Sequence, residues 1–269
     1  MEDHSEIIRT AVETNRRMWN ETAAVHERNR FASLVASFRD PGYSTLDELE
    51  LAVLGRIGMA GKSVAQLSCN NGRELISVER LGATCAVGFD VSDAFIDQAR
   101  RLAQAAGSRA EFVRTDVYEI ESMYTESFDL VYVTVGAIGW MPDLPGWFQL
   151  VGRLLRPNGH LFIYEMHPVL GMFEAQDGPV LRHSYFRSDP FVEEAAPDYL
   201  APDVVVTAPS VWFQHTLGDI VGGALRAGLK LEDFAEHQHD LSAVYRSFAE
   251  LETVPPMSYH LLAVKQGGL

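Results

Sequence analysis

Apolar and polar positions along the chain follow two spacings, one typical of buried strands and one typical of helices. Between several short apolar runs, apolar residues recur at steps of three and four, which is the spacing of amphipathic helices. The runs have the length of buried strands and lie at residues 64–67, 84–89, 110–114, 128–135 and 161–165. Strand–helix–strand units of this length form right-handed parallel crossovers. The pattern therefore predicts an α/β protein with a mostly parallel sheet and helices on both faces.

Helices are also predicted outside this alternating region. Apolar residues recur at helical spacing through residues 3–38, and Pro41-Gly42 ends this helical segment. Within the core, Ser92 is a good N-cap for a helix that Gly107 ends. Other predicted elements are helices at 45–55, 93–106, 144–155 and 215–227, strands at 229–236 and 257–265, and a helix or ordered loop at 240–252.

A turn-rich loop and an acidic residue follow the first two predicted strands. Residues 68–72 (Ser-Cys-Asn-Asn-Gly) contain types that tolerate positive φ, and Asp90 ends the second strand. Ligands of such sheets bind outside the carboxyl ends of the strands, where Asp90 is placed to accept hydrogen bonds from a ribose diol. These features predict a nucleoside-containing cofactor.

Two cofactors of this kind differ in what they need from the loop. A nicotinamide dinucleotide needs G-x-G-x-x-G spacing, which is missing here, and Glu74 in the first helical turn would repel its diphosphate. S-adenosylmethionine has no phosphate and carries a cationic sulfonium, so Glu74 does not oppose it. A nicotinamide-dependent oxidoreductase is therefore disfavoured, and a Rossmann-like unit that binds nothing remains an alternative.

Residues 62–165 resemble the class I S-adenosylmethionine-dependent methyltransferases that act on small molecules. The family's first motif usually has the form V-L-D-x-G-C-G-x-G; here Gln66, Ser68 and Asn70 replace its Asp and first two Gly, and Gly72 is kept. The second strand ends in an acid, as in the family. Residues 128–131 (Phe-Asp-Leu-Val) resemble its fourth strand, and residues 154–161 its L-x-P-G-G-x-L element.

The resemblance implies a fold and a division of the chain. The fold is Rossmann-like, with a mostly parallel seven-stranded sheet whose last strand is antiparallel, plus N-terminal helices and a cap insertion. Residues 1–269 are expected to form one methyltransferase domain, comprising an N-terminal helical lid (1–56), a cofactor-binding core (62–165), a cap segment (166–212) and a C-terminal helix with an antiparallel strand pair (213–269). The cap segment contains six prolines and six aromatic residues, with strand-like pieces at 180–187 and 204–208.

The resemblance also implies which residues bind S-adenosylmethionine and its product S-adenosylhomocysteine. Asp90 would bind the ribose, Asp116 the adenine amine, and the backbone after Asp116 the adenine ring. The full implied set is Trp19, Asn20, Ser68, Cys69, Asn70, Gly72, Asp90, Val91, Asp116, Val117 and Val133. Alternatives stay open: Asp116 could cap a short turn, Trp19 could belong to a core stripe, and Cys69 could be a nucleophile rather than a small residue facing the ligand.

Methyl transfer from a sulfonium is an in-line displacement, so the protein mainly has to align the reactants. If the acceptor must lose a proton early, a base is needed at the carboxyl end of the sheet. His167 is the first candidate, His215 the second and His26 the third, and each could instead be a structural hydrogen-bonding residue. Glu165 could bind a cationic substrate or orient His167. Trp140, Phe173 and Trp212 could form an aromatic substrate wall or belong to the core.

Net charge and cysteine content indicate which classes of partner, metal site and cellular compartment to expect. The formal net charge of -15 argues against nucleic acid and anionic membrane surfaces and favours a small-molecule substrate or a protein partner. The two cysteines and nine histidines show no zinc spacing, so no metal is expected. Without a signal peptide or an apolar run of spanning length, a soluble cytoplasmic protein is expected. The altered first motif (Gln66, Ser68, Asn70) keeps a non-catalytic cofactor-binding protein as the alternative function.

Overall fold

The N-terminal part of the chain is helical, as its apolar spacing predicts. The computed structural model describes residues 4–174, 179–242 and 244–267. Helix α1 (His4–His26) continues through a π-helical turn (Glu27–Phe31) into α2 (Ala32–Phe38). Helix α3 (Glu48–Ile57) starts where Asp47 accepts a hydrogen bond from the backbone N–H of Glu50, whose carboxylate accepts one from the N–H of Asp47.

Seven strands form one sheet, and the predicted fold class is confirmed. The strands of the described residues are β1 (Ser63–Leu67), β2 (Cys85–Asp90), β3 (Glu111–Arg114), β4 (Phe128–Val133), β5 (Leu155–Met166), β6 (Phe191–Glu193), β7 (Ala196–Pro197), β8 (Val205–Val206), β9 (Ser210–Trp212), β10 (Leu229–His237) and β11 (Ser258–Lys265). The sheet order is β10-β11-β5-β4-β1-β2-β3. Strands β1 to β5 are mutually parallel, whereas β11 is antiparallel to both of its neighbours, β5 and β10.

Helices cover both faces of this sheet. The remaining helices are α4 (Arg73–Glu79), α5 (Asp93–Ala106), α6 (Leu144–Leu154), α7 (Leu217–Arg226) and α8 (Arg246–Ala249). Trp147 and Phe148 of α6 belong to the core on one face, and Leu75 of α4 and Ile96 of α5 to the core on the other. Since both faces are covered, every residue of β1 is buried.

Strand β5 begins before the predicted residues 161–165. Leu155 pairs with Phe128 and His160 with Leu130, so residues 156–159 form a bulge within the strand. Asn158 has a φ of 64°, and a Cβ on Gly159 would lie 3.0 Å from the carbonyl oxygen of Phe128. The turn predicted from these residue types therefore exists, but it forms a bulge opposite β4 rather than an end of the strand.

The cap segment has different strands from those predicted. Residues 180–187 form no strand, and Leu181 makes a single bridge to Phe173. Of residues 204–208, only β8 is a strand; it pairs with β7, and β6 pairs with β9. The prolines at 190, 197, 202 and 209 explain why these strands are short, because proline cannot donate to a ladder. Residues 175–178 of the cap segment lie outside the described residues.

Candidate active site

A cavity of about 1500 Å³ lies between the carboxyl ends of the central strands, α1 and the cap segment. Ligand pockets commonly measure about 300–1,000 Å³, so this volume has room for a cofactor together with an acceptor. The predicted site residues that line it are Trp19, His26, Ser68, Asn70, Asp90, Val91, Asp116, Val117, Trp140, Glu165, His167, Phe173, Trp212 and His215. Asn20, Cys69, Gly72 and Val133 do not line it, and Val133 is fully buried in the core.

The loop after β1 has a left-handed backbone despite its lost glycines. Ser68, Asn70 and Gly72 have φ values of 55°, 51° and 73°. Gly72 cannot be replaced without movement, because a Cβ there would lie 2.3 Å from the ring of Phe112. Cys69 is fully buried, and burial raises the pKa of its thiol well above the usual value, which does not support the nucleophile alternative.

Asp90 lies at the end of β2 and holds the turns on both sides of the site. Its Oδ2 accepts from the backbone N–H of Asn70 and its Oδ1 from that of Ser92, each at 2.8 Å. Burial raises the pKa of Asp90 to about 6, opposed by these N–H groups and that of Val91. The carboxylate lines the cavity, where its remaining lone pairs can accept from a diol.

Asp116 performs its alternative role as a cap and also lines the cavity. Its Oδ1 accepts from the N–H of Tyr118 at 3.0 Å, at the start of a 3₁₀ turn (Val117–Glu119). Burial raises the pKa of the Asp116 carboxyl. Asp90 thus ends β2, and Asp116 lies just after the neighbouring strand β3.

Four aromatic rings form a row along the cavity. Tyr199 contacts Trp19 at 6.4 Å, Trp19 contacts Trp140 at 5.2 Å, and Trp140 contacts Trp212 at 5.0 Å, all edge to face. A Cβ on Gly139 would lie 2.1 Å from Trp212, so this glycine makes room for the row. Sequence reasoning missed Tyr199, which no motif marks. Phe173 lines the cavity elsewhere and packs on Phe248.

Glu165 supports a loop rather than His167. Its two carboxylate oxygens accept four backbone N–H groups, those of Gly136, Ala137, Ile138 and Met166, at 2.6–3.1 Å. Burial raises the pKa of Glu165, and the four donors oppose that rise. The suggestion that Glu165 orients His167 is wrong, because other groups contact that ring.

The three candidate histidines differ in what their ring nitrogens contact. In His167, Nδ1 accepts from the N–H of Val169 at 3.1 Å and Nε2 lies 2.7 Å from Glu236, so neither nitrogen is free. In His26, Nε2 lies 3.3 Å from Asp198 within a buried contact to the cap segment. In His215, Nε2 lies 2.8 Å from the carbonyl oxygen of Met141 and therefore carries the proton, which leaves the lone pair on Nδ1. Burial lowers the pKa of all three rings.

Asn20 lies behind the cavity wall. Its Oδ1 accepts from Ser92 Oγ at 2.7 Å and from the N–H of Ala94 at 3.1 Å, so it binds the N-terminus of α5. Asn20, which was predicted to be a cofactor ligand, therefore contacts Ser92 and does not line the cavity.

The described residues contain no group of three His, Cys, Asp or Glu side chains arranged to hold a metal ion. Within the same residues, no helix has the length and apolar character needed to cross a membrane.

Comparison with known proteins agrees with this geometry. Residues 64–159 match a family model described as a methyltransferase domain. This part of the chain is therefore similar to methyltransferase domains. A phthiotriol/phenolphthiotriol dimycocerosates methyltransferase of Mycobacterium leprae is 31% identical over 114 residues, which are 42% of this chain and 41% of the relative. The chain thus spans less than half the length of that relative.

Two solved structures share the methyltransferase domain's fold over most of both chains. An S-adenosylmethionine-dependent methyltransferase from Mesorhizobium loti has 22% identity and a TM-score of 0.56, covering 80% of this chain and 97% of that one. The [4+2]-cyclase SpnF has 17% identity and a TM-score of 0.55, covering 92% and 97%. At these identities the likeness shows a common fold.

S-adenosylmethionine is the cofactor that this family implies, and the site residues fit it. Asp90 and Asp116 place two carboxylates, which are hydrogen-bond acceptors, at the cavity, and acceptors are what a ribose diol and an adenine amine require. Gly136, at the end of β4, has a φ of 83°, lines the cavity and has open space where a Cβ would point. The loop offers no phosphate-binding glycine pattern, which agrees with a cofactor that lacks phosphate.

Proposed function

We propose that this chain transfers a methyl group from S-adenosylmethionine to an O, N or S atom of a small-molecule acceptor. The carrying observation is the shared cavity, which is lined by the two carboxylates Asp90 and Asp116 and also by the aromatic row. In this proposal residues 1–56 act as a lid and the cap segment covers the core at 62–165.

The two unpaired cysteines, Cys69 and Cys85, favour a reducing compartment, the cytoplasm.

His215 is the best-placed base in this proposal. When bound, S-adenosylmethionine supplies an activated methyl group on a cationic sulfonium. The Met141 carbonyl fixes the proton of His215 on Nε2, so Nδ1 can accept a proton from an acceptor hydroxyl, ammonium or thiol. Because burial lowers its pKa, the ring is neutral and ready to accept a proton at pH 7. His167, the first candidate from the sequence, has no free nitrogen for this role.

The first test is calorimetric titration with S-adenosylmethionine and S-adenosylhomocysteine, followed by a screen of phenols, amines and thiols with methyl-labelled cofactor. We expect micromolar binding of both and transfer to one acceptor class. With that acceptor, His215→Asn should lower kcat by about 10²–10⁴-fold while leaving the Kd for S-adenosylhomocysteine unchanged. No binding of either cofactor would contradict the proposal.

The alternative is a non-catalytic cofactor-binding protein. Its support is Gln66, which replaces the motif acid, is buried and has no partner for Oε1 among the described residues. The fold alone does not decide the reaction, since the cyclase SpnF shares it. Tight cofactor binding without transfer to any acceptor class would favour this alternative.

A further inference from the structure

Helix α1 holds the cofactor side of the cavity and the cap segment through neighbouring side chains. Asn20 binds the turn that follows Asp90, whereas Asn15 and Glu21 bind the backbone of the cap segment. We propose that α1 couples occupation of the ribose site at Asp90 to closure of the cap segment, with Asn20 as the positioning residue. This inference rests on the proposed cofactor.

The first link is a continuous chain of hydrogen bonds from Asp90 to α1. The N–H of Ser92 donates to Asp90 Oδ1 at 2.8 Å, and Ser92 Oγ donates to Asn20 Oδ1 at 2.7 Å. The N–H of Ala94 donates to the same Asn20 oxygen at 3.1 Å. Ser92 is fully buried, so solvent cannot replace either of its partners. A shift of the turn at 90–94 is therefore transmitted to Asn20.

The second link joins α1 to the cap segment. The Asn15 amide bonds both backbone groups of Val211, donating to the carbonyl at 2.9 Å and accepting from the N–H at 2.8 Å. The Glu21 carboxylate accepts from the N–H of Thr207 at 2.8 Å and from that of Ala208 at 2.9 Å. The donors on Thr207 and Ala208 lower the pKa of Glu21, which keeps it charged at neutral pH.

These links make three backbone amides reporters of closure. The N–H groups of Thr207, Ala208 and Val211 donate to side chains of α1, so the contact between α1 and the cap segment slows their exchange with solvent. A ligand that binds the closed state more tightly lowers the population of the open state. A ligand at Asp90 should therefore slow exchange at these amides although it does not contact them.

The experiment is hydrogen exchange, resolved to single amides by NMR, with and without S-adenosylhomocysteine. In the wild-type chain, we expect about tenfold slower exchange at residues 207, 208 and 211 when the ligand is bound. In Asn20→Ala, the ligand should still slow the amides of Asn70 and Ser92. It should slow the three reporters less than in the wild-type chain, because the Arg16–Asp93 contact still joins α1 to the turn. Arg101→Ala is the matched control, because it breaks the exposed Arg101–Glu27 pair without touching the turn at 90–94. It should keep the wild-type response.

A second variant tests the other end of the chain of contacts. Glu21→Ala should leave the amides of Thr207 and Ala208 fast with or without ligand, while ligand binding at Asp90 persists. Ligand binding that leaves the three reporters unchanged in the wild-type chain would overturn this inference alone, as would a full response in Asn20→Ala. Failure of the wild-type chain to bind S-adenosylhomocysteine would overturn the proposed function and this inference together.

Discussion

The titration of Asp90 predicts how cofactor binding changes with pH. Burial raises the pKa of this carboxyl to about 6, against the backbone N–H groups of Ser92, Asn70 and Val91. A ribose diol donates two hydrogen bonds and favours the ionised form. Binding therefore opposes protonation of Asp90, and the affinity for S-adenosylhomocysteine should fall as the pH decreases through 6.

The size of the effect follows from the fraction of ionised Asp90. With a pKa of about 6, roughly one carboxyl in eleven is ionised at pH 5, whereas nearly all are ionised at pH 7.5. If only the ionised form binds, the Kd should be about tenfold higher at pH 5 than at pH 7.5, which is about 1.4 kcal/mol. Above pH 7 the Kd should be constant.

Calorimetric titration with S-adenosylhomocysteine between about pH 5 and pH 7.5 measures this dependence, with circular dichroism to confirm folding at each pH. Asp90→Asn should bind weakly with a Kd that no longer varies with pH. Asp116→Asn is the necessary comparison, because burial also raises the pKa of Asp116. A wild-type Kd that is constant over the range, or a pH dependence that Asp116→Asn abolishes and Asp90→Asn keeps, would refute the reasoning.

Three substitutions test other parts of the site. Asp90→Ala should weaken S-adenosylhomocysteine binding by one to two orders of magnitude, since a hydrogen-bonded charged group contributes about 1.5–3 kcal/mol; unchanged affinity in a folded variant would contradict the ribose assignment. Gly72→Ala should lower the free energy of unfolding in urea by about 1–3 kcal/mol, because its Cβ would meet Phe112, and more than Gly107→Ala, where a Cβ meets nothing. Glu165→Gln should lower it by at least about 2 kcal/mol, because an amide cannot accept from four N–H groups; equal stability would refute the loop role.

The sequence predicts the sheet well because its strands are buried on both faces. Such strands appear as apolar runs whatever their neighbours, and Ser92 and Gly107 mark the ends of α5 through purely local rules. The cap segment lacks both signals. Its paired strands are two or three residues long, so no periodicity can develop, and the pairing of β6 with β9 depends on contacts that are distant along the chain.

The first motif shows how far residue identity can mislead about conformation. Ser68 and Asn70 replace glycines of the family pattern, yet both have the left-handed backbone that glycine would adopt. Asp90 helps to hold this conformation, since it accepts from the N–H of Asn70, and Asn70 Oδ1 accepts from the N–H of Asn71. Side-chain hydrogen bonds thus stabilise the left-handed loop backbone here, whereas the family motif relies on the conformational freedom of glycine. Substitutions in this motif are therefore weak evidence that the cofactor site has been lost.

The sequence could not show which histidine is the best candidate base, because that depends on which nitrogen of each ring is already hydrogen-bonded. His167 follows a strand end directly and so has the most suggestive position, but the helical turn after it uses Nδ1 and Glu236 uses Nε2. His215 lies far along the chain from the cofactor motifs. It is a candidate base because the Met141 carbonyl fixes the proton on Nε2 and leaves the lone pair on Nδ1. A base needs a free lone pair as well as a place in the cavity, and hydrogen bonds between distant parts of the chain determine that lone pair.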